Sequence, residues 1–254
     1  MKTKRGQVTL FIIMALILIG IISSYFFFRK ITKPSLIESA EENPEAYMQL
    51  CVEDELKDII NLITLQGGFY DPKDYVLVDD NEKATYLCKN TMNFKPCINQ
   101  HPMLISEVEN EIKEQATPII NKCFSELKKD FEEKGMGVEL SPESSEKINV
   151  DIAIDKILIN VQRKISINKK EEINRFDEIN LKLKSSLYDL IHVSARIVNN
   201  EAKFCYFEKN GYMNMHPEYL ILLNTLSDTT KIYTISKVDN SEKMHIAVRG
   251  CVIT

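Results

Sequence analysis

Short signatures of particular chemistries are missing from this chain. Its 254 residues contain only eight glycines and no phosphate-binding loop, and the four histidines (His101, His192, His216, His245) form neither H-E-x-x-H nor an i, i+4 pair. Asn-x-Ser/Thr acceptors are absent despite many asparagines, so N-glycosylation has no sequence support. Ser125-Glu126-Leu127-Lys128 has the bare S-x-x-K spacing of penicillin-recognising enzymes, but without S-D-N and K-T-G companions it reads as a solvated helix face. Asp79-Asp80-Asn81-Glu82 offers oxygens to a divalent cation without the spacing of an EF-hand loop, and reads as a polar turn. With no nucleophile–base pair and no metal cluster, neither an enzyme nor a cofactor is expected.

Charge is missing from one place only. Gly6 through Phe28 holds no charged residue, although 27% of the whole chain is charged. That overall fraction excludes a polytopic membrane protein, and the 44% hydrophobic content excludes wholesale disorder. A net charge of −5 leaves no reason to expect a nucleic-acid partner. The charge-free run, GQVTLFIIMALILIGIISSYFFF, is flanked by Lys2, Lys4 and Arg5 on one side and by Arg29, Lys30 and Lys33 on the other. Val8 to Phe28 spans roughly 32 Å as a helix, the thickness of a bilayer's hydrocarbon core. A buried helix of that length would carry polar residues along one face, and this one does not. It reads as a transmembrane helix over residues 7–28, in contact with the lipid bilayer, with the second basic cluster reaching headgroups.

Three fates are open to that segment. A cleaved secretory signal would use Ser23 and Ser24, but the apolar run is long for one and continues past them. An uncleaved signal anchor needs nothing further. The third is a prepilin-type leader. Lys4-Arg5-Gly6-Gln7-Val8-Thr9 ahead of the apolar helix resembles the class III leaders of archaeal type IV pilin-like proteins. The resemblance implies a prepilin-type peptidase that cuts between Gly6 and Gln7, a leader of residues 1–6, and other pilin-like subunits as partners. Where many pilins carry Glu at the fifth mature position this chain has Phe11, which points to a minor pilin-like or simple anchoring role. Cutting there leaves 29 basic against 37 acidic residues, a net −8.

Basic residues flank the helix equally, three and three, so the charge rule alone does not orient it. All six cysteines (Cys51, Cys88, Cys97, Cys123, Cys205, Cys251) follow the helix, and an even number on one side suits an oxidising exterior. They are candidate disulfide cysteines, with fifteen pairings open. Cys123 is either core packing or a partner for Cys51. Cys88 and Cys97 are candidates for a disulfide, or with His101 for zinc ligands at an unusual spacing.

Past a polar stalk over 29–43, Asn43-Pro44-Glu45 reads as a helix start, and Val52, Leu56, Ile59, Ile60 and Ile63 mark its apolar face until Gly67-Gly68 stops it. Phe69 to Pro102 reads as loop. Ser106-Glu107-Val108-Glu109 reads as a capping box for a second helix with Ile112, Ala116, Ile119, Ile120, Cys123, Leu127 and Phe131 on its stripe, Pro118 as a kink and Gly135 as its end. These form a helical half over 44–135. The half over 136–254 alternates at Ile148, Val150, Ile152; Ile157, Ile159, Val161, extended by Ile165, Ile167; and Ile179, Leu181, Leu183. Leu187, Leu190, Ile191, Ser194 and Ile197 return to helical spacing, and strands are expected around Phe204–Phe207, Tyr219–Leu223, Ile232–Val238 and Met244–Ile253. The expected fold is α+β: an N-terminal transmembrane helix, then an ectodomain of two or three helices and mainly antiparallel strands. Cys51 with its helix, then Leu65-Gln66-Gly67-Gly68-Phe69, resembles uncharacterised membrane proteins of small-genome archaea that share such leaders. The expected role is binding or assembly at the cell surface, with an anchored surface hydrolase or a solute-binding receptor as alternatives.

Overall fold

Helix α1 (Pro44–Leu65) begins where the Pro44 signal puts it, and buries Met48, Val52, Leu56, Ile60 and Ile63 along one face. In the computed structural model residues 43–78, 82–92, 94–169 and 172–251 are described, with Met14; the leader, the bond between Gly6 and Gln7, the rest of the apolar segment and residues 29–42 of the stalk lie outside the described residues. Among the described residues no helix is long and apolar enough to cross a membrane. Gly67 and Gly68 close α1, their N–H groups donating to Thr64 and Ile63 carbonyls. Gly67 has φ +81°, and a Cβ there would sit 2.7 Å from the His245 carbonyl, so chain reversal and close approach both require glycine.

The stretch expected to be loop contains three strands, β1 (Tyr75–Leu77), β2 (Lys83–Lys89) and β3 (Ile98–Asn99). β2 lies inside a sheet ordered β1-β2-β12-β11-β10, with β3 paired to its other end, and Ala84 through Cys88 are all buried. Burial on both faces removes the alternation that would have marked it as a strand. The partners β10 (Tyr219–Thr225), β11 (Lys231–Lys237) and β12 (Lys243–Arg249) form an antiparallel meander, and β12 joins β2 in parallel.

Helix α2 (Leu104–Glu133) runs through Pro118 and ends at Gly135 (φ +81°). Its N-cap is Met103, three residues before the expected Ser106, and no side chain caps it. Glu107 and Glu109 are engaged elsewhere: Glu107 meets His101 Nδ1 at 2.5 Å, and Glu109 accepts the Ile152 N–H at 3.1 Å. All seven stripe residues are buried, joined by Val108 and Phe124.

Next come β4 (Gly137–Leu140), β5 (Lys147–Ala153), β6 (Lys156–Gln162), β7 (Ile165–Lys169), β8 (Glu172–Phe176) and β9 (Ile179–Lys184). They pair antiparallel as β4-β7-β8 and β5-β6-β9. From Val161↔Ile179 to Ile165↔Phe176 the first strand advances four residues and the second three, so a bulge at Arg163-Lys164 bends one long ribbon into two. The Arg163 side chain is buried there. Its Nε donates to the Ser141 carbonyl (3.1 Å), its Nη1 to Asn121 (3.1 Å) and Glu146 (3.2 Å), and it lies 4.7 Å from the Phe124 ring centre. Burial raises the Glu146 pKa, against the pull of the guanidinium.

Helix α3 (Leu187–Phe204) packs Leu190, Ile191, Ser194 and Ile197 inward. It continues through Phe204, where a strand was expected; Cys205 caps it with φ +59°, and a short helix α4 (Lys209–Met215) follows. The described chain is therefore α+β with four helices and mostly antiparallel strands, built on one continuous core that takes side chains from all three sheets. Residues from Pro44 onward form a single compact unit.

Candidate functional site

The six cysteines form three disulfides and none is free. Cys51–Cys123 ties α1 to α2, so Cys123 is both a core residue and a covalent partner. Cys88–Cys97 closes a loop between β2 and β3, and Cys205–Cys251 joins the end of α3 to the segment after β12. The last two lie together. Cys251 N–H donates to the Lys95 carbonyl at 2.6 Å, and Asn90 N–H to the Arg249 carbonyl at 2.6 Å. A Cβ on Gly250 would come within 2.5 Å of the Cys97 nitrogen.

Within the Cys88–Cys97 loop, Phe94 has φ +59° and is 69% exposed. A left-handed conformation on a bulky residue costs about 1–3 kcal/mol and persists only where the surroundings impose it. They do so here: the Asn90 side chain donates to the Pro96 carbonyl (2.8 Å) and accepts the Met92 N–H (2.9 Å), while the disulfide shuts the loop. The loop therefore holds an aromatic ring outward. Met92, Ile98, Phe204 and Tyr206 are exposed around it, a rim that no spacing rule in the sequence predicts.

Beneath the rim, Glu201 in the last turn of α3 is buried and accepts from Lys231 Nζ (2.7 and 2.9 Å) and from the Tyr233 hydroxyl. Lys231 also donates to the Cys205 carbonyl at 2.8 Å. Burial, reinforced by Glu201, raises the Tyr233 pKa and keeps the phenol protonated. This network fixes the end of α3 and with it the backbone that carries Phe204 and Tyr206.

Three other places carry polar chemistry. A cavity of about 250 Å³ between α3 and the start of α2 is lined by His101, His192, Asn99 and Asn199 among apolar neighbours. A groove of about 500 Å³ runs past Lys57, Lys184, Lys237, Ser186 and Glu242. In it the Glu242 carboxylate takes the Ser186 N–H and hydroxyl, capping α3 from another element, and a hydrogen bond to Asp189 pushes Lys237 up to about 12. On the sheet face away from α3, Thr234 Oγ1 meets His245 Nδ1 at 2.9 Å, and His245 Nε2 meets Glu82 at 2.9 Å. Burial lowers the His245 pKa although Glu82 opposes this. The neutral ring then donates from Nε2 to the carboxylate and accepts the Thr234 hydroxyl at Nδ1. Glu82, Thr234 and His245 are too far apart in sequence for any motif to connect them.

Of the residues singled out from sequence, Gly6 and Gln7 lie outside the described residues, as do Asp79, Asp80 and Asn81. Cys88 and Cys97 are bonded to each other, so their sulfurs are not available to zinc, and His101 turns to Glu107. Cys51, Cys123 and Glu126 cluster within 4.8 Å, but there too the sulfurs are spent on a disulfide. Ser125 is exposed and bonds back to the Asn121 carbonyl, and Lys128 pairs with Glu132 at 3.8 Å, as on a solvated helix face. No protein-family model, no curated protein and no solved structure matches the chain.

Proposed function

We propose that the protein is a single-pass, pilin-like membrane protein whose C-terminal domain lies outside the cell and works by binding or assembly. The observation that carries this is the pairing of every cysteine, which suits a domain matured in an oxidising compartment. The charge-free segment over residues 7–28 supplies the anchor, and the Arg5-Gly6-Gln7 junction the place for a prepilin-type cut. The proposed partners are the bilayer, the leader peptidase and other pilin-like subunits. Protease added to intact cells is expected to remove the C-terminal domain while the membrane fraction retains the apolar segment. A domain that stays protected while a surface control is digested contradicts the orientation. Gly6→Leu is expected to raise the mature mass by retaining the leader; an unchanged N-terminus contradicts the prepilin part alone.

A second reading, an anchored surface hydrolase, is favoured by the Glu82–His245–Thr234 relay. It orders a hydroxyl, a base and a carboxylate as nucleophilic catalysis needs them. A fluorophosphonate probe that labels the protein, and fails to label Thr234→Ala, supports this reading; no labelling removes it.

A further inference from the structure

What the cavity between α3 and the start of α2 lacks is charge. Although 27% of the chain is charged, no Asp, Glu, Lys or Arg is among the described residues that line this space of about 250 Å³. Leu87, Leu104, Ile191 and Val198, all buried, supply its apolar wall, and His101, His192, Asn99 and Asn199 its polar groups. The larger groove, by contrast, mixes both signs, with Lys57, Lys184 and Lys237 beside Asp155, Asp239 and Glu242. An ion entering the smaller cavity would leave water without meeting a fixed counter-ion, which costs far more than burying an uncharged molecule.

His101 sets the one directional demand. Its Nδ1 lies 2.5 Å from Glu107 Oε2. A carboxylate only accepts, so the proton sits on Nδ1 and the neutral ring offers the Nε2 lone pair. Were the ring protonated, Glu107 would neutralise it, so the pair presents no net positive charge to an anion. Among the described residues no group hydrogen-bonds Nε2. The ring packs on Phe69, 4.7 Å away between ring centres, so this acceptor is in place before a guest arrives. Asn99 spends its side-chain oxygen on the His101 N–H at 2.9 Å, which leaves its amide N–H groups as donors.

We propose that this cavity binds a small uncharged molecule with an apolar body and a hydroxyl group, the hydroxyl donating to His101 Nε2 and accepting from an asparagine amide. An apolar cavity of about 150 Å³ takes up benzene, so about 250 Å³ corresponds to roughly ten non-hydrogen atoms, a ring with a short side chain. Such a guest meets both parts of the lining: its body covers the apolar wall, and its hydroxyl pairs an acceptor and a donor that have no partner across the cavity. This site belongs with the solute-binding alternative; it depends neither on the membrane anchor nor on the Glu82–His245–Thr234 relay.

The test titrates 4-propylphenol, a probe of that size, into the full chain in phosphatidylcholine nanodiscs, with its four histidines isotopically labelled for NMR. Empty nanodiscs measure the share of probe that dissolves in lipid. Saturable shifts of the His101 and His192 ring signals are expected, with His216 and His245, which do not line the cavity, unmoved. Replacing the hydroxyl by methyl, in 4-propyltoluene, is expected to weaken binding about tenfold, and 4-ethylbenzoate is expected not to bind. His101→Phe, read at His192, is expected to remove the preference for the phenol while the toluene still binds. Unchanged His216 and His245 signals show that this variant is folded. Shifts that do not saturate or that reach all four histidines overturn the proposal. So do equal affinity for phenol and toluene, benzoate binding as tight as the phenol's, or a phenol preference that survives His101→Phe. A chain that stays out of the nanodiscs contradicts the anchored reading instead, and the titration is then run on it in solution.

Discussion

Arg163 shows how much one side chain carries at a bulge. It satisfies Ser141, Asn121 and Glu146 while packing on Phe124, so it joins the β6–β7 bend to α2 and to the strand before it. Removing it leaves a buried carboxylate without its cation, and Arg163→Ala is expected to cost about 3 kcal/mol or more, read as a lower denaturation midpoint. His245 makes a different prediction. Burial depresses its folded pKa, with Glu82 opposing and Lys243 adding to the shift. The unfolded chain therefore binds a proton, near an ordinary pKa of about 6.5, that the folded chain refuses. Stability contributed by the neutral ring is complete above that value and is lost as pH falls toward the folded pKa. His245→Gln is expected to flatten the fall in Tm as pH drops below about 6.5; an unaltered slope places the titration elsewhere.

At the scale of elements, the readable ones bury a single face. The apolar periods of α1, α2 and α3 and the alternation in β5, β6 and β9 correspond to residues that are buried in the fold, apart from the half-buried Ile59 and Val150. β2 was illegible because both its faces are covered, and the Phe204 segment because an apolar tip on a helix end looks like a strand. The Cys88–Cys97 loop and the Glu82–His245–Thr234 relay were illegible for another reason: each depends on contacts between segments distant in sequence. The disulfides rank by the loops they close. Chain-entropy arguments give about 4.4 kcal/mol for Cys51–Cys123, which spans 72 residues, and about 2.6 for Cys88–Cys97, which spans 9. Replacing Cys51 and Cys123 together by Ala is therefore expected to lower the unfolding midpoint more than replacing Cys88 and Cys97; the reverse order would show that the small loop does more than restrict the unfolded chain.

The whole molecule divides its 44% hydrophobic content between a charge-free segment and the core of one disulfide-stapled α+β unit. The proposed account joins the two as anchor and ectodomain, and it depends on the domain folding outside the reducing cytoplasm. The most direct test is intact-mass thiol trapping: cells are quenched in acid, free thiols alkylated, and the purified protein weighed before and after reduction and a second alkylation. The account predicts no alkylated cysteine before reduction and six after it. Protein isolated with its cysteines alkylated before any reduction would contradict it.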